Sequence, residues 1–184
     1  MIASPGWPAR LHRLFDFLDS LRTRADVMEL RNQIVSAKAC VDDFAPFLRF
    51  DSRSYTRNLI VEGLMYHVLV LCWRSGQRSP IHNHAHSVCG FCILMGTATE
   101  TIFERSPSGL TKPTTSRNCR RGDVCVSRDA DIHQVANLQP RGHDLVTLHV
   151  YSPPLLHMDT FSEVGVAVGA DQPACMEQGT GGGR

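Results

Sequence analysis

The apolar positions change their rhythm once along this chain. From Arg10 onward Leu11, Leu14, Phe15, Leu18 and Leu21 recur three or four residues apart, and Val27, Leu30, Ile34 and Val41 carry that rhythm on after Asp26. The spacing puts each set on one face of a helix and makes Asp26 the cap of the second. Two amphipathic helices are therefore predicted within about residues 10–45. Pro46, in "FAPFLRFDSRSY", interrupts the rhythm, and the remainder reads as short β-prone runs parted by Gly, Pro, Ser and Asn. Strands are expected near Asn58–Glu62, Tyr66–Trp73, Val88–Met95, Thr97–Phe103, Asp123–Val126 and Leu145–Tyr151. With no helices between them, such strands favour an antiparallel sandwich or small barrel over a parallel α/β sheet. The last stretch, "GADQPACMEQGTGGGR", lacks large apolar groups. It reads as a disordered tail over 166–184, leaving 1–165 as one domain.

Composition narrows the classes open to such a chain. A length of 184 residues with 42% hydrophobic and 20% charged positions suits a single globular domain. The 19 basic residues are balanced by 18 acidic ones for a net charge of +1, and no basic run is longer than Arg120-Arg121, which argues against nucleic acid as a partner. No stretch approaches the roughly 20 apolar residues that span a bilayer, and "MIASPGWPAR" carries two prolines where a signal peptide has its apolar core. A soluble, cytoplasmic protein with no membrane partner is expected. The 7 cysteines are an odd, scattered set, expected as reduced thiols. The 9 histidines are the less ordinary feature.

Two of them, His82 and His84, stand two apart ahead of a strand-like run. In extended chain both imidazoles point to one face and can chelate one metal ion. The frame around them resembles the first motif of the cupin superfamily, with Gly76 before the pair, Cys89 at the position that carries Glu in many cupins, and Gly96 closing it. "GDVCVSRDADIHQVAN" resembles the second motif: Gly122 opens it, His133 stands at its histidine position and Asn137 follows, while Arg128 and Ala130 replace the usual Pro and Gly. His82, His84 and His133 then offer three neutral nitrogen donors and no carboxylate. A ferrous ion held this way keeps its full charge and favours an anionic ligand such as a thiolate. Zinc, nickel and copper suit the same donors, and zinc would point to hydrolysis or hydration instead.

Several further segments, in order, are similar to the cysteine dioxygenases: "YTRNL" (Tyr55–Leu59), "LCW" (Leu71–Trp73), "IHNH" with "SVC" (Ile81–Cys89), "HQVAN" (His133–Asn137) and "LHVYSPP" (Leu148–Pro154). The resemblance spans roughly Leu11 to Phe161. It implies a mainly β fold, a cupin jelly-roll forming a small β-barrel with N-terminal α-helices, and an iron-dependent thiol dioxygenase that oxidises L-cysteine to cysteine sulfinate with O2. By the same resemblance His82, His84 and His133 hold Fe(II), and Arg57 clamps the substrate carboxylate with Tyr55 supporting the same pocket. Tyr151 faces the iron, oriented by Thr147 and His149, and Cys89 is joined to Tyr151 by a thioether crosslink. His149 is then a group behind the tyrosine and not a fourth ligand, and His86 lies at the pocket mouth. Cys89 and Cys92, three apart on a strand, fall on opposite faces. Cys40, Cys72, Cys119, Cys125 and Cys175 show no partner in the sequence. A monomer is expected. The competing readings are a 3-mercaptopropionate (or other thiol carboxylate) dioxygenase, a non-catalytic metal-binding cupin sensor and a zinc or nickel cupin isomerase.

Overall fold

The computed structural model describes residues 6–106 and 111–162; the expected tail lies outside them. Two α-helices open the described chain, α1 (Ala9–Ser20) and α2 (Val27–Ala37). The Asp26 carboxylate accepts hydrogen bonds from the backbone N–H groups of Met28 and Glu29, both at 2.9 Å, which satisfies donors that an α-helix otherwise leaves orphaned. Lys38 ends α2 by turning left-handed at φ 44°. Val41, expected in the second helix, therefore begins a separate 3-10 helix, Val41–Phe47.

Ten strands follow: β1 (Thr56–Gly63), β2 (Tyr66–Trp73), β3 (Ile81–His82), β4 (Val88–Met95), β5 (Thr97–Arg105), β6 (Thr111–Arg120), β7 (Val124–Ser127), β8 (Ile132–Ala136), β9 (Leu145–Ser152) and β10 (Thr160–Phe161). They form two five-stranded antiparallel sheets, β1-β2-β9-β4-β7 and β10-β3-β8-β5-β6. The six expected strands are present: two extend by two residues or more, one by a single residue, and one is displaced by a single residue. β3, β6, β8 and β10 were not expected. β6 is polar and contains Pro113, and only Thr111 and Cys119 along it are buried. It lies at a sheet edge, where an exposed face and a proline are tolerated.

Strands β2, β4 and β9 are mostly apolar and buried almost throughout because both of their faces are covered. Val68, Val70, Cys72, Cys92, Leu94, Val146, Leu148 and Val150 pack against Leu11, Leu14, Leu18, Leu30 and Ile34 of the helices. The alternate residues Leu69, Leu71, Trp73, Cys89, Phe91, Ile93 and Tyr151 face the interior between the sheets. Cys89 and Cys92 thus fall on opposite faces, as expected. A Cβ added to Gly90 would lie 2.5 Å from Ile34 Cδ1, so α2 rests directly on β4.

Candidate metal centre

The three histidines converge between the sheets. His82 on β3 stands directly opposite His133 on β8, and His84 follows in the turn that Ala85 and His86 make at positive φ. The ring centroids lie 4.7 to 5.2 Å apart, and one potential ligand atom from each falls within 4.8 Å of the others. Every ring has its Nδ1 engaged: His82 with the Pro80 carbonyl at 2.9 Å, His84 with Ser127 Oγ at 3.3 Å and His133 with Glu100 Oε1 at 2.9 Å. The carbonyl and the carboxylate fix the tautomers of His82 and His133, and all three contacts leave the Nε2 atoms for a metal. His84 Nε2 is buried without a hydrogen-bond partner, an arrangement that costs free energy unless something coordinates it.

Electrostatics keep His82 and His84 in their ligating form. Burial pushes the pKa of His82 down to about 3, with His133 and Arg57 adding to the effect. Burial likewise holds His84 well below the usual histidine range. Glu100 is itself buried, which opposes its ionisation, yet the hydrogen bond from His133 and the pairing with Arg117, whose Nε and Nη2 reach Oε2 at 2.8 and 2.6 Å, outweigh burial and keep the carboxyl below its ordinary value. The residues present fit a divalent metal bound by three neutral imidazoles, with a carboxylate behind one of them.

Around the histidines lies a small cavity lined by Tyr55, Arg57, Leu71, Trp73, Ser79, Val135, His149 and Tyr151. Arg57 projects into it with Nη1 3.8 Å from Met158 Sδ, while its Nε and Nη2 are buried and have no partner. Its guanidinium carbon lies 5.6 Å from the centre of the Tyr151 ring, and Tyr55 stacks on Trp73 at 4.2 Å. Along β9 a hydrogen-bonded relay runs from Trp73 Nε1 to Thr147 Oγ1 at 3.0 Å, from Thr147 to His149 Nε2 at 2.9 Å and from His149 Nδ1 to Tyr151 Oη at 3.2 Å. An indole N–H only donates, so Thr147 Oγ1 accepts from Trp73 and keeps its own proton for His149 Nε2; in that tautomer His149 Nδ1–H points at the tyrosine oxygen. Burial, with Arg57 adding to it, holds His149 well below its usual pKa, and so neutral. Cys89 faces Tyr151 directly across the β4–β9 pair, and burial pushes both its thiol and the phenol up in pKa.

Comparison with known proteins is decisive at this point: the model of the family described as cysteine dioxygenase type I matches residues 3–164. The chain belongs to that family. Cysteine dioxygenase type 1 of Danio rerio is 33% identical over 159 residues, covering 83% of this chain and 76% of the fish protein. Its Homo sapiens counterpart is 29% identical over 150 residues, covering 78% and 71%. Among solved structures, a protein with a double-stranded beta-helix domain from Klebsiella pneumoniae aligns with a TM-score of 0.51 at 16% identity, over 64% of this chain and 93% of its own. TT1209 from Thermus thermophilus aligns at 0.52 and 15%, over 63% and 99%. These likenesses show the cupin fold alone. Membership of the cysteine dioxygenase family makes the chain a cupin-type thiol dioxygenase.

In this cysteine dioxygenase family member nine residues singled out from sequence meet in one place: His82, His84, His133, Arg57, Tyr55, Cys89, Thr147, His149 and Tyr151 all sit in or beside the cavity. His86 is exposed and is not among the cavity's lining residues. Glu100 escaped the sequence reading, because its partners Arg117 and His133 stand 17 and 33 residues away in the chain. Cys119 and Cys125, read as lacking partners, lie with their sulfurs 3.2 Å apart; that reading is corrected. No helix among the described residues is long and apolar enough to cross a membrane.

Proposed function

We propose that this chain is an iron(II)-dependent cysteine dioxygenase, converting L-cysteine and O2 to cysteine sulfinate. The observation that carries the reading is Arg57, whose two unpartnered guanidinium donors open into the cavity that the three imidazoles share. A planar fork with free N–H groups suits a carboxylate through paired, charge-assisted bonds. Iron held by His82, His84 and His133 would supply the centre at which the substrate sulfur and O2 meet. The protein's own residues bind and orient. Arg57 neutralises and aligns the substrate carboxylate, and Tyr55 stacked on Trp73 forms the wall beside it. Tyr151 receives the His149 Nδ1–H, so its own hydroxyl proton remains free to be donated into the cavity, toward the substrate. The buried walls exclude water and let these fixed dipoles act in a low dielectric.

The cross-strand placement of Cys89 and Tyr151 supports a thioether between the sulfur and the tyrosine ring. Its formation removes one hydrogen from the thiol and one from the ring, with O2 as the oxidant during turnover. A peptide containing Cys89 and Tyr151, two hydrogens light and stable to reductants, is the expected product.

The test is O2 uptake and sulfinate formation by the iron-loaded protein with L-cysteine and, in parallel, 3-mercaptopropionate. Greater kcat/KM with cysteine is expected; preference for 3-mercaptopropionate reassigns the substrate, and no uptake with any thiol overturns the reading. Arg57→Ala should raise KM for cysteine by about 10- to 100-fold. An unchanged KM would remove the clamp.

A further inference from the structure

Outside the metal centre, two thiols stand in contact. Cys119 lies on β6 opposite Ala98, and Cys125 lies on β7 opposite Phe91. These strands are the free edges of the two different sheets, each hydrogen-bonded to a neighbour on one side only. The turn between them is held by Asp123 N–H on the Arg120 carbonyl at 2.9 Å and by Arg120 N–H on the Asp123 carboxylate at 2.7 Å. It brings both cysteines into the inter-sheet core, each 4% exposed, with their sulfurs 3.2 Å apart. Closing that gap to the roughly 2 Å of an S–S bond asks for a shift of about 1 Å.

We propose that Cys119 and Cys125 are a modification site: a dithiol that a peroxide converts into a reversible disulfide joining the edge of one sheet to the edge of the other. One sulfur displaces hydroxide from the peroxide, breaking its O–O bond and becoming a sulfenic acid as the first water leaves. The second sulfur displaces hydroxide from that sulfenic acid, forming the S–S bond and releasing a second water. Two hydrogens and two electrons pass from the thiols to the peroxide. Glu100 completes a buried group with the two sulfurs, but its oxygens are taken by His133 and Arg117, so a disulfide fits the pair better than a bound cation.

The full-length, iron-loaded protein is treated with stoichiometric hydrogen peroxide, then denatured, alkylated and digested with trypsin. Cleavage after Arg120 and Arg121 separates the segment 118–120 from 122–128. The two are expected joined, two hydrogens lighter than their sum and released by a phosphine. A thioether at Cys89 survives the phosphine, so failure here and failure of the crosslink are distinguishable. The melting temperature should rise by about 5 °C on oxidation. In Cys119→Ser the joined species must vanish and Cys125 become alkylatable; Cys125→Ser is the reciprocal variant should the first not fold. Alkylation of both sulfurs after peroxide, oxidation of either alone, pairing with another cysteine, or protection that a chelator removes overturns the proposal.

Discussion

Glu100 carries a negative charge at 1% exposure, a placement that burial alone would forbid. Its position explains how it persists: it stands opposite Val135, diagonal to His133 on the same ladder, with Arg117 of the next strand covering its other oxygen. The carboxylate accepts the Nδ1–H of the imidazole it holds and so turns Nε2 toward the metal position. Glu100→Gln removes that charge while keeping the shape, and should weaken metal binding by about 10- to 100-fold, measured by competition with a chromogenic chelator. Equal affinity would show that Glu100 only fills space. The contrast with His82, His84, His133 and Arg57 shows what sequence can carry at this scale. For His82 and His84 the spacing is itself the signal, because ligands two apart on extended backbone share a face; His133 and Arg57 are legible through the motifs around them, which resemble those of the family. Glu100, Cys119 and Cys125 acquire their roles from which strand lies beside which, and that register is written nowhere in local spacing.

Among the elements, the legible strands are those buried on both faces. β2, β4 and β9 are mostly apolar because helices cover one side and the site occupies the other, so their bounds stand out even with His67, Thr147 and His149 among them. β6 has the opposite character: one neighbour, a solvent face and Pro113, leaving only the pairing of Thr97 through Arg105 with Arg120 back to Thr111 to define it. Turns between strands impose a stricter demand at single positions. Gly96 joins β4 to β5 at φ +82°, and a Cβ there would meet the Asp144 carbonyl at 2.5 Å. Gly96→Ala combines left-handed strain with a collision against backbone, which cannot rotate away, and should cost about 2 kcal/mol or more. Urea denaturation gives that number directly, and a loss within a few tenths of wild type would mean the turn relaxes freely.

At the scale of the whole molecule the metal centre is also a reservoir of pH sensitivity. In the metal-free protein His82, His84 and His149 resist protonation while folded, whereas the unfolded chain protonates near pH 6.5. As pH falls below about 6.5 the unfolded state therefore binds more protons, and stability, complete above that value, is lost progressively down to about 3, where His82 titrates in the fold. Each such histidine contributes a slope of about 1.4 kcal/mol per pH unit within the window. Melting of the metal-free protein between about pH 7.5 and 4.5 should show this decline, and a flat profile would contradict it. The overall plan, helices first and a β-sandwich after, was readable from the change of apolar rhythm; the partition of ten strands into two sheets was not, because it depends on contacts far apart in sequence. The sheet that bears Cys89, Thr147, His149 and Tyr151 has its reverse side plastered by α1 and α2. It is a party wall. Cutting the chain back to the two sheets alone would strip that wall on its far side and loosen the studs from which the tyrosine hangs, so the shortest piece worth engineering begins no later than Ala9.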